Sequence, residues 1–201
     1  MKTEVFMRNA NIKKLTGTAL LAAIIVVLQT VASGIKFGTF TPTLSLIPII
    51  IGALVYGPLS GAFLGLVFGV IVVIGVLSGT EPMSTLMFQT SPALTVGVCL
   101  LKGMMAGLIP GLLYKLLKGE KDLLATVVAT ISAPIVNTGI FCAALMTVFL
   151  PITQHFSDLL GFADAGKFVL LGIVGTNFLF ELLLNAVLVP IVIRIINFVK
   201  K

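Results

Sequence analysis

The chain has 201 residues, 58% of them hydrophobic and only 10% charged, with a net charge of +6 and a mean hydropathy of +1.20. An ordinary soluble domain carries roughly 25% charged residues. Here too few polar side chains remain to cover a water-facing surface, which excludes a soluble globule, a disordered chain, a coiled coil and a disulfide-stapled scaffold. The composition is that of an all-α integral membrane protein, a single membrane domain over residues 1–201.

Six apolar segments follow one another, each a candidate transmembrane helix. The first covers about 15–33, the second 43–56, the third 59–77, the fourth 92–117, the fifth 123–150 and the sixth 168–196. The second is short: at about 1.5 Å per residue it reaches roughly 21 Å, less than a hydrocarbon core of about 30 Å. Turn chemistry separates the segments at Thr41-Pro42, Gly57-Pro58, Glu81-Pro82, Ser91-Pro92 and Gly119. A cleaved leader is the competing reading of the first segment, with Lys13 and Lys14 before it and Val31-Ala32-Ser33 after it. Its apolar run is long for a signal core.

The basic residues set the orientation. With the N-terminus in the cytoplasm of a plasma-membrane protein, Lys2, Arg8, Lys13, Lys14, Lys115, Lys118, Lys121, Arg194, Lys200 and Lys201 all lie inside, and so does the C-terminus. Lys36 and Lys167 are then outside, in outer loops that also hold Glu81, His155, Asp158 and Asp164. Basic residues so placed report orientation and give no sign of a nucleic-acid partner.

Small residues recur at helical spacing. Gly57, Gly61, Gly65 and Gly69 form one stripe and Gly103, Gly107 and Gly111 another. Such stripes let helices approach closely in lipid, and packing within the chain is the expected use. Ala19 and Ala23 share a face of the first segment. Cys99 and Cys142 lie in apolar stretches without a disulfide or metal pattern.

Polar groups inside the spans carry the functional signal. Lys102 and Glu181 are ionisable and lie well within the fourth and sixth segments, where a charge is costly unless it faces a partner or a cavity. Asn177, Glu181 and Asn185 fall at four-residue spacing on one helix face. Asn137 lies in the fifth segment, three residues after Pro134. Two readings stay open: a Lys102–Glu181 ion pair with asparagines as interhelical glue, or a polar cavity for a solute. The outer loops at 34–42, with Phe40, and at 79–91, with Gln89, are placed to cover such a cavity. There is no P-loop, no H-E-x-x-H and no G-x-S-x-G. The expectation is therefore a protein that is not an enzyme, with no cofactor and no metal.

Ala19-x-x-x-Ala23, the short second segment and the run Ile51-Gly52-Ala53-Leu54-Val55-Tyr56-Gly57-Pro58-Leu59-Ser60-Gly61-Ala62 resemble the substrate-binding S components of energy-coupling factor (ECF) vitamin transporters. The resemblance spans essentially the whole chain. It implies a binder of a water-soluble vitamin or related micronutrient, captured near the outer face and covered by the loop after the first helix. It also implies a transmembrane coupling subunit and two cytoplasmic ATPase subunits as partners, with Ala19 and Ala23 as the docking face. Substrate-binding candidates are Lys102, Asn137, Asn177, Glu181, Asn185, Phe40 and Gln89. An intramembrane lysine suits a carboxylate, and with no tryptophan for stacking, pantothenate fits slightly better than thiamine. A stand-alone secondary transporter or channel and a structural membrane subunit are the alternatives.

Overall fold

The computed structural model describes residues 2–33, 43–119 and 122–199, with side chains at all of these except 2–10, 32, 33, 82, 176, 177, 180, 197 and 199. Among the described residues all regular structure is helical. The helices are α1 (Lys2–Ser33), α2 (Leu46–Tyr56), α3 (Pro58–Leu77), α4 (Pro82–Thr90), α5 (Pro92–Leu117), α6 (Asp122–Met146), α7 (Leu150–Leu159) and α8 (Ala165–Lys167). A π-helical segment, Phe168–Phe178, follows and runs directly into α9 (Leu179–Val199). Asn11–Val31 of α1 and the whole of α3, α5 and α6 are long and apolar enough to cross a membrane; α2 is apolar but short. The chain is an all-α membrane protein.

Proline and glycine place the joints. Pro58, Pro82 and Pro92 open their helices, where a missing N–H costs nothing because that group would have no intrahelical partner. Between α2 and α3 there is a single residue, Gly57, at φ 99° and ψ 169°, a conformation that side chains with a Cβ rarely adopt. It reverses the chain so that the short α2 packs against α3.

The glycine stripes join α3 to α5, the most extensive helix pair in the fold. A methyl added at Gly65 would strike the backbone carbonyl of Gly103, and one added at Gly107 would strike that of Gly61. At the next turns, added methyls at Gly69 and Gly111 would stand 2.8 Å from the Cys99 carbonyl oxygen and 2.7 Å from Pro58 Cα. Backbone meets backbone along the whole crossing, so the stripes are used inside the chain.

Four segments depart from the sequence reading. Helix α1 begins at Lys2 rather than near residue 15, because an apolar count sees only the part of a helix that lipid requires. Residues 79–91 are not a loop: they contain α4, started by Pro82 and tied down by Thr85, whose hydroxyl meets the carbonyls of Val76 (3.1 Å) and Glu81 (2.8 Å). The fifth span stops at Met146 instead of 150. The Thr153 hydroxyl donates to the Leu145 carbonyl at 2.9 Å, satisfying a helix-end acceptor, and the chain turns back into α7. His155 and Asp158 consequently lie on α7 rather than in a loop. Finally, the last helical run opens at Ala165, where the Asp164 carboxylate accepts from the Lys167 N–H at 2.8 Å, and its first part is π-helical.

Two apolar clusters result. One lies among α1, α2, α3, α5, α6 and α9 and includes Ile25, Ile49, Leu64, Phe68, Ala129 and Val192. The other gathers Met87 of α4, Leu145 of α6, Phe149, Phe156 of α7, and Phe168 and Ile173 of the π segment.

Candidate functional site

Between the two clusters lies a cavity with about 100 Å³ of free space. Its apolar wall is aromatic: Phe68 of α3, Phe141 of α6, Phe156 of α7 and Phe168 of the π segment. Phe156 and Phe168 are fixed against each other, with centroids 6.2 Å apart and planes 7° from parallel. Phe162 meets Phe168 edge-on at 5.5 Å. The polar wall comes from many elements: Gln29 of α1, Thr43, Glu81, Ser84 of α4, Lys102 of α5, Asn137 and Thr138 of α6, and Glu181 of α9.

Glu181 is the costliest of these groups. It is 1% exposed, and neither carboxylate oxygen accepts a hydrogen bond of full geometry. Thr43, just ahead of α2, and Lys102 act on it electrostatically, but Thr43 falls short of a well-formed bond and Lys102 is not hydrogen-bonded to it. Lys102 is instead half-buried, with its Nζ 4.7 Å from the centroid of the Phe141 ring, where the ring's negative face attracts a cation. Asn137 is buried with its Oδ1 unpartnered. Gln29 is held in place: its buried Oε1 accepts from the Ser45 hydroxyl at 2.9 Å.

The structure thus brings Lys102, Asn137 and Glu181 to one cavity. Asn185 is fully buried but does not line it; its amide donates to the Glu181 backbone carbonyl at 2.8 Å, one turn back on the same helix. Gln89 is exposed on α4 and lies away from the cavity, because residues 79–91 coil into a helix that turns Ser84 to the cavity instead. Asn177 falls in the π segment; its side chain lies outside the described residues, as does Phe40. Sequence reasoning missed Gln29, Thr43, Ser84, Thr138 and, of the aromatic wall, Phe68, Phe156 and Phe168. Gln29 had a signal, a lone amide in an otherwise apolar run.

Ala19 and Ala23 are exposed on α1. Beside them, a groove of about 580 Å³ runs between α1 and α3, lined by Lys14, Thr18, Ala19, Ala22 and Phe63 among others.

The sequence matches the family model described as "ECF transporter, substrate-specific component" over residues 13–193. No curated protein matches it significantly. A match over that much of the chain places it in the family: it belongs to the substrate-specific components of ECF transporters. It is a multi-pass membrane subunit of an importer, associating with the coupling and ATPase subunits of the ECF module and serving a small-molecule substrate.

Proposed function

We propose that this chain captures a water-soluble vitamin or related micronutrient from the outer side and holds it in the cavity bounded by Glu181, Asn137, Lys102 and the four phenylalanines. Glu181 carries this reading. Burying a carboxylate without a full set of hydrogen bonds is expensive, and packing alone returns nothing for that cost. A solute that completes those bonds gives the expense a purpose.

Helix direction supports the outer location. With Lys13, Lys14, Lys115, Lys118 and Arg194 on the cytoplasmic side, Gln29 lies near the outer end of α1 and Phe141 in the outer half of α6. Phe168 lies at the outer start of the last helical run, and α4 and α7 are both at that end. The cavity's lining therefore gathers at the end away from the basic flank. The subunit would dock through Ala19 and Ala23 onto a transmembrane coupling subunit driven by two cytoplasmic ATPases, which supply the energy that this chain has no P-loop to harvest.

The test is a thermal-shift screen of water-soluble vitamins on the purified chain, followed by uptake with and without the ATPase module. Stabilisation by a vitamin and ATPase-dependent uptake are expected. Uptake by the chain alone in liposomes would make it a stand-alone transporter, and the absence of any ligand effect would make it a structural subunit. Impermeant labelling of a cysteine placed beside Lys118 from outside the cell would reverse the orientation.

A further inference from the structure

The chemistry of the cavity wall restricts the ligand further, if the cavity is a solute site as proposed above. The buried polar atoms left without partners there are all acceptors: Oε1 and Oε2 of Glu181 and Oδ1 of Asn137. The buried Glu181 carboxyl shares this wall with one ammonium, Lys102. That ammonium is already seated over the Phe141 ring. The remaining wall is aromatic, and such faces attract cations and planar rings.

We infer that the cavity selects a ligand presenting a cationic or amino-substituted nitrogen group, on or beside a planar ring, that donates hydrogen bonds to Glu181 and Asn137. A carboxylate is the wrong complement. It brings further acceptors to a site whose buried unpartnered atoms are acceptors, and it repels Glu181 at low dielectric, where screening is weak. The expectation of an acidic ligand drew on Lys102 as a lone intramembrane charge. With Glu181 at the same wall, and Lys102 seated over Phe141, that complementarity is lost. A donor nitrogen satisfies both Glu181 oxygens at once and gains charge assistance, the stronger kind of hydrogen bond.

The experiment compares binding to the purified full-length chain, by thermal shift and titration calorimetry. The probes are thiamine and pyridoxamine as nitrogen donors, pantothenate and biotin as carboxylates, and riboflavin as a neutral ring. A nitrogen-donor probe should bind. Glu181→Gln, which keeps shape but replaces one acceptor by a donor and removes the charge, should weaken it by about tenfold or more. Lys102→Met removes a neighbouring positive charge and should tighten the same probe by about threefold. That second variant decides the matter if the first fails to fold. Binding confined to the carboxylates or riboflavin, or a donor probe weakened by Lys102→Met, overturns the inference and leaves the solute-binding reading standing. No stabilisation by any of the five overturns the inference, and no stabilisation by any vitamin in the wider screen overturns both.

Discussion

Ser45 and Gln29 show how a single hydroxyl can hold a site together. Ser45 is fully buried and Gln29 is 5% exposed, and the 2.9 Å bond between them is the contact that fixes the Gln29 carbonyl at the cavity wall. Ser45→Ala leaves that carbonyl buried without its donor, a loss of about 1–3 kcal/mol. The variant should melt earlier than the parent and bind ligand more weakly, read by thermal unfolding and titration of one purified sample; unchanged melting would mean that Gln29 finds another donor. The same residues show what a sequence can reveal at this scale. Lys102, Asn137 and Glu181 were legible because a strongly polar group in an apolar span is too costly to be incidental. Asn185 was legible as buried but not in its role, since back-bonding to its own helix leaves no trace in spacing. Phe68, Phe156 and Phe168 were illegible because phenylalanine suits a lipid face, a core and a cavity equally. Gln89 was misplaced because a loop reading assigns no face to any residue.

Glycine spacing, by contrast, translated directly into an element contact. Stripes repeating every four residues on two neighbouring helices leave a pair of flat faces, and α3 and α5 use them backbone to backbone. Gly107→Ala should therefore cost about 1–3 kcal/mol, since the added methyl meets the Gly61 carbonyl and Ile49 rather than space. Gly97, on the same helix, has nothing within 4 Å of an added Cβ. Gly97→Ala should leave stability unchanged or raise it by up to about 1 kcal/mol through helix propensity. Thermal melts of the two variants side by side are the check, and equal losses would show that the α3–α5 contact is not a close backbone packing. The elements that escaped the sequence were the short ones. With 9 and 10 residues, α4 and α7 are too brief for a full apolar period to emerge. The π segment is apolar like any span, and only its hydrogen-bond register betrays it.

At the scale of the whole molecule, the proposed cavity and the proposed docking face lie apart along α1. Gln29, near one end, lines the cavity; Ala19, ten residues earlier, lies about 15 Å down the helix axis. Between them α1 buries a narrow face, Thr18, Ile25 and Gln29, against the rest of the chain. Leu15, Ala19, Leu20, Ala23, Val26 and Val27 face outward. Lipid tolerates such a face, but lipid does not call for alanine where leucine would serve; a partner helix does, because small residues allow close approach. The groove between α1 and α3 adjoins Ala19 and widens that approach. Replacing Ala19 or Ala23 by tryptophan puts a large ring on the outward face, clear of the cavity and of the chain's own core. Uptake in cells that carry the coupling and ATPase subunits should fall to background. Ligand affinity of the purified variant should stay within about twofold of the parent, because no cavity group moves. Co-purification with the coupling subunit should be lost together with uptake. If binding fell while assembly survived, the alanine face would belong to the chain's own packing, and the docking surface would have to be sought elsewhere on the molecule.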